Sequence, residues 1–222
     1  MHSDDILQTP SVLHLPNNLL VNRGNRRLVF IHPNDPSRCL KTAAPGNSPR
    51  EIRLRKVWHK RLRPDHSYDD NHLEMAEFTR LCRHVPDPTF ALPRLYGMVA
   101  TDRGPALEQD LIRSPDGTVA PNLYEFLRSS HDNPGLRSNL HEAMTRFTEW
   151  FWTNRIVVHD LHPRNVLVCC DTANPHLILI DGLGAYSLVP LEDFLPYPVS
   201  VWRLPGKIRR FFRLANEVLT KS

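Results

Sequence analysis

"VVHDLHPRNVLVCCDTANPHLILIDGLG", residues 157–184, decides the fold. NVLVCC and HLILIDG are short apolar runs rich in strand formers, and DTANP between them carries Asp, Asn and Pro, which favour turns. The pattern predicts a hairpin with Asn165 at its start and Asp181 at its exit. A lone Asp-x4-Asn match carries little information, because both residues form ordinary loops. Flanked by VV, LHP and VLV, and followed by an apolar strand ending in Asp-Gly, Asp160 and Asn165 read instead as a polar site mounted on that hairpin.

Upstream, SNLHEAMTRFTEWFWTN predicts a long helix with Leu140, Ala143, Met144, Phe147 and Phe151 on one inward stripe, and NLYEFLRSS a shorter one. The first half reads as β-rich with helices inserted. RRLVFIHP and RCLKTA, joined across PNDPS, predict two strands over 26–43; TFALPRLYGMVATDRG and GPALEQDLI predict two more around a turn at Asp102–Pro105. APGNSP breaks the chain before a basic segment from Arg50 to Arg63, which has seven Lys or Arg against one Glu, with Ile52, Leu54, Val57 and Leu62 between them. That segment is expected to form a helix with its apolar side packed down rather than a polyanion site. NHLEMAEFTRLCRHV follows as a second helix, its start capped by Asn71 with Glu74 three residues on, as in a capping box. From Gly206 a basic amphipathic helix is expected to pack Ile208, Phe211, Phe212, Ala215 and Leu219 against the second half.

Phosphoryl transfer needs a group to orient the attacking hydroxyl, metal ions to neutralise the phosphates and a cation to hold the nucleotide. Asp160 fits the first task. Asn165 and Asp181 supply the oxygen ligands that magnesium prefers, and Gly182 and Gly184 let the chain turn away beside phosphates. HDLHPRNVLV followed by LILIDG resembles the catalytic and metal-binding loops of the protein-kinase-like fold. On the same comparison Lys41 in RCLK stands where that fold keeps its nucleotide-binding lysine, and Glu74, preferred over Glu77, where it keeps the partner glutamate; Gly24 is what remains of the glycine-rich phosphate loop. More narrowly, HPNDPSRCLK, HDLHP-N and IDG-G make residues 15–200 similar to the PhoP regulatory network protein YrbL family.

The resemblance implies an α+β, two-lobed kinase-like fold with a reduced C-terminal lobe: about 15–112 for the first lobe, 113–222 for the second, and ATP with Mg2+ between them. It also has departures. Val158 and His159 precede Asp160 where protein kinases keep His and Arg, so activation-loop control is not expected. His162 stands two residues after Asp160 in place of Lys, similar to the loop of aminoglycoside phosphotransferases. Only 41 residues follow Asp181, which favours a small hydroxyl acceptor over a docked peptide. The rival expectation is a non-catalytic nucleotide-binding module that serves as a regulatory partner. The net charge of +4 permits contact with anions without requiring it. No apolar run reaches the roughly 20 residues that span a bilayer, and the N-terminus lacks a basic start followed by an apolar core, so a cytoplasmic protein is expected. Cys39, Cys82, Cys169 and Cys170 lack zinc-site spacing and read as free buried thiols.

Overall fold

Alternation along the first strands creates two sheet faces, and the sheet is built on that parity. The computed structural model describes residues 12–62, 64–129, 134–156, 158–169, 174–183 and 202–221. Strands β1 (Leu20–Arg23), β2 (Arg27–His32), β3 (Asp35–Ala43), β4 (Leu95–Thr101) and β5 (Gly104–Asp110) form one antiparallel sheet in the order β1-β2-β3-β5-β4. Leu28 and Phe30 of β2 pair with Thr42 and Leu40 of β3, and this face buries a core of Leu15, Leu28, Phe30, Leu40, Ala44 and Ala106. Arg27, Val29 and Lys41 take the opposite face by the same register, since Val29 pairs with Lys41. The predicted strands over 26–43 are therefore present, and of the two predicted over 89–112 the first starts only at Leu95, after a 3-10 turn at Pro88–Phe90. β1, which the sequence reading passed over, extends the sheet at its edge.

The basic segment departs from expectation. It forms two short helices, α1 (Pro49–Leu54) and α2 (Trp58–Arg61), rather than one amphipathic face. Ile52 is buried, whereas Leu54, Val57, Trp58 and Leu62 are exposed. Apart from Glu51, no acid within Arg50–Arg63 stands at helical spacing to relieve the repulsion among its cations, so a continuous helix gains little support. α1 begins on a reciprocal cap: Ser48 N and Oγ donate to Glu51 Oε2, while Glu51 N donates back to Ser48 Oγ.

α3 (Asp70–Leu81) follows, and the division of the chain into two units falls within it. One unit comprises Met1–Met75 and Leu95–Leu111; the other comprises Ala76–Arg94 and Ile112–Ser222. The second unit contains α4 (Leu123–Ser129), α5 (Pro134–Thr153), the hairpin β6 (Val166–Cys169) and β7 (His176–Leu179), and α6 (Leu204–Lys221). The expected α5 stripe of Leu140, Ala143, Met144, Phe147 and Phe151 is buried throughout. Phe147 meets Phe151 edge-on at 4.9 Å and Phe211 of α6 at 6.1 Å, so α6 packs on this unit as expected. Its burial is narrower than the sequence suggested, with Leu204, Phe211 and Ala215 buried but Ile208, Phe212 and Leu219 only partly covered. The chain is thus a mixed α+β protein with an antiparallel sheet.

Candidate functional site

Strand parity and one helix cap together assemble the polar cluster of the first unit. Asp69 caps α3: its Oδ1 accepts from Asn71 N at 3.0 Å and His72 N at 3.3 Å, and its carbonyl accepts from Leu73 N. This corrects the expected cap at Asn71. The Asn71 side chain turns instead to the sheet, where Nδ2 donates to Lys41 O at 2.8 Å and Oδ1 accepts from Arg27 Nη1 at 3.1 Å. One helical turn further, Glu74 accepts from Lys41 Nζ through Oε1 at 2.8 Å and from Arg27 Nη1 through Oε2 at 2.5 Å. Lys41 and Glu74 side chains are 4% and 7% exposed, so this is a buried ion network. Glu77 is engaged elsewhere, with Arg80 at 2.6 Å, and Glu74 is the partner of Lys41.

Arg27 is the residue that sequence reasoning missed. No sequence motif marked it: only the β2–β3 register, in which Val29 pairs with Lys41, puts Arg27 on the face of Lys41. Gly24 lies in the β1–β2 turn, where its N–H donates to Arg27 O at 2.9 Å and an added Cβ would meet that oxygen at 3.3 Å. Its amide is therefore engaged by the hairpin. Of the cysteines expected to be buried, Cys39, deep in β3, is so, and burial pushes its thiol up to about 11 against the pull of Lys41, whereas Cys82, just after α3, is exposed.

In the second unit, Asp160 and Asn165 are in direct contact. Asn165 Nδ2 donates to Asp160 Oδ2 at 3.0 Å and to Asp160 O at 3.3 Å, which leaves its amide oxygen as a donor of lone pairs. The loop is registered onto the hairpin by Ile180 N donating to Asn165 O at 2.9 Å. Behind it lies Gly182. His159 N donates to Gly182 O at 2.6 Å, Gly182 has φ +88°, and a Cβ there would stand 2.8 Å from Asp160 O and 3.0 Å from Asp160 N. Glycine is required at 182 for both conformation and space. Asp181, immediately before it, is exposed at the end of the hairpin; Gly184 lies outside the described residues.

His162 has a structural task, as its Nδ1 accepts from Arg164 N at 3.1 Å and caps the 3-10 turn Pro163–Asn165. Burial holds its imidazolium below the ordinary histidine range, opposed by the Asp160 carboxylate. Lys207 of α6 donates to the carbonyls of Val158 and, at 3.0 Å, His159. Burial and Arg203 push this ammonium down, while Asp160 pulls it up. An open cavity of about 460 Å³ lies against the same loop, lined by Tyr124, Arg128, His162, Pro163, Arg164 and Leu214, among others. The Arg164 guanidinium stacks 3.8 Å from the centre of the Tyr124 ring.

Among the described residues no group of three or more His, Cys, Asp or Glu forms a ready cation site. The oxygens of Asn165 and Asp181 are a hard donor set that suits magnesium, which typically takes one or two carboxylates and completes its shell with phosphate oxygens and water. No helix among the described residues is long and apolar enough to cross a membrane.

A mixed α+β protein with a buried Lys–Glu pair in one unit and an Asp–Asn loop on a hairpin in the other is the class that the structure defines. Residues 13–213 match the model of the PhoP regulatory network protein YrbL family, and the chain belongs to that family. It is 27% identical over 173 residues to the YrbL protein of Escherichia coli (strain K12), covering 77% of this chain and 73% of that protein. The YrbL protein of Shigella flexneri matches with the same identity and coverage.

Proposed function

We propose that this chain is a kinase-like, ATP- and Mg2+-dependent phosphotransferase acting on a small hydroxyl acceptor. The observation that carries the proposal is the buried Lys41–Glu74 pair. Withdrawing an ammonium and a carboxylate from water is costly, and a hydrophobic pair would fill the same space at no such penalty. In the kinase-like fold that the sequence resembles, a lysine–glutamate ion pair of this kind has to be in place for the nucleotide phosphates to be held. In this reading Lys41 holds the α and β phosphates and Glu74 orients it, while Asp160 orients the acceptor hydroxyl and takes its proton. Asn165 and Asp181 would hold magnesium, whose charge neutralises the phosphates. Gly24 lets the nucleotide approach the β1–β2 turn without a side chain in the way.

The rival reading is a nucleotide-binding regulatory module without catalysis, in line with the regulatory-network description of the family. The exposed Leu54, Val57, Trp58 and Leu62 in the basic segment favour it, because such a surface suits a partner.

The test is thermal stabilisation by ATP with and without Mg2+, with Asp181→Ala as the control. At a ligand concentration of 100 times Kd the native state gains about 2.7 kcal/mol. Stabilisation that requires Mg2+ and disappears in the variant is the expected result. Failure of ATP and related nucleotides to stabilise the protein at millimolar concentration removes the phosphotransferase reading. Magnesium-dependent binding, with no phosphate transferred to water or to a panel of small hydroxyl compounds, favours the rival.

A further inference from the structure

We infer that Lys207 is a positioning residue for Asp160, and that the C-terminal helix α6 is thereby a working part of the candidate active site; this rests on the phosphotransferase reading above. The peptide units entering Asp160 are held from two sides. On one side, Gly182 O accepts from His159 N at 2.6 Å. On the other, the ammonium of Lys207, 47 positions after Asp160 in the chain, bridges the carbonyls of Val158 and His159. Those two carbonyls belong to the residues immediately before the proposed base, so their orientation sets the direction from which the Asp160 side chain leaves the backbone.

An ammonium bonded to two backbone carbonyls is a strong, charge-assisted clamp, and its remaining hydrogen is available to neighbouring groups. The charges that act on Lys207 are Arg203, just before its helix, which repels it, and Asp160, which attracts it. Other polar side chains of the loop are engaged elsewhere. His162 uses Nδ1 to cap the following turn, Arg164 stacks on Tyr124, and Asn165 is the partner of Asp160 itself. Lys207 is anchored by Leu204 and Phe211, the buried residues three before and four after it, so the packing of α6 delivers the ammonium to a defined place.

The experiment compares full-length wild type with Lys207→Met, Lys207→Arg and the surface control Arg213→Gln. Mg-ATP affinity, single-turnover ATP hydrolysis and residue-resolved amide exchange are measured on each. Lys207→Met should leave Kd for Mg-ATP within about twofold but slow hydrolysis about tenfold or more, as expected for loss of orientation without loss of binding. The amides of His159 and Asp160 should exchange faster in Lys207→Met, with recovery in Lys207→Arg and no change in Arg213→Gln. Unchanged hydrolysis and unchanged exchange in Lys207→Met overturn the inference, as does a parallel loss of Mg-ATP affinity. If wild type binds no Mg-ATP, the phosphotransferase reading fails, and loop exchange alone then decides whether Lys207 orders the loop. Should Lys207→Met not fold, the wild-type Lys207 ammonium resonance is decisive: without slowed hydrogen exchange there, the clamp is absent.

Discussion

Glu74 accepts from Lys41 through one oxygen and from Arg27 through the other, so removing different members of the cluster has unequal consequences. Glu74→Gln removes the carboxylate to which Lys41 and Arg27 both donate and should destabilise the protein by roughly 3–5 kcal/mol. Lys41→Met leaves Glu74 paired with Arg27 and should cost clearly less. Urea midpoints at neutral pH check the order; equal losses would show that Arg27 does not share the charge. The same arrangement illustrates what a residue-level reading can reach. Lys41 and Glu74 were legible because each stands in a recognisable context, RCLK on a strand and an amphipathic helix start. Arg27 carried no motif, and only the β2–β3 register brings it to the same carboxylate.

At the scale of elements, α1 and α3 show how short-range chemistry chooses between similar sequences. Asn71 and Asp69 are both good caps, and Asp69 takes the role while Asn71 joins the buried cluster. Ser48 and Glu51 form the capping box instead. The hydroxyl and amide of Ser48 hold the Glu51 carboxyl below its ordinary value of 4.5. A depressed folded-state value means that this stabilisation is complete above pH 4.5 and is lost as pH falls through the folded-state value. Ser48→Ala should therefore lower the urea midpoint near neutrality, and the gap from wild type should narrow on acidification below that value. A gap that widens in acid would contradict the cap as described. The helix pattern in Arg50–Arg63 was misleading for the complementary reason: apolar residues at helical spacing mark a packed face only where another element covers them, and Leu54, Val57 and Leu62 are left in solvent.

For the molecule as a whole, each unit carries its own core. Phe30 is fully buried in the sheet core of the first, and Phe151 in the helical core of the second. Truncating either aromatic to alanine should cost about 3–5 kcal/mol. Native-state hydrogen exchange should then separate the two variants, with Phe30→Ala deprotecting β2, β3 and β5 first and Phe151→Ala deprotecting α5 and α6 first. Identical patterns of lost protection would mean that the chain opens as one cooperative body, contrary to this expectation.

The sequence by itself determined the strands over 26–43 and 95–110, the α5 stripe, the 166–179 hairpin and the polar residues mounted on it. These follow from local periodicity and turn chemistry, which involve only residues close along the chain. Family membership was legible by resemblance, through short runs such as HDLHP and IDG. Tertiary structure alone decided that Arg27 and Lys41 share Glu74, that Gly182 packs against the Asp160 backbone, and that Lys207 closes on the carbonyls before Asp160. Each of these joins positions more than 20 residues apart or on different elements, where partner choice depends on strand register and helix packing rather than on any pattern within the segment.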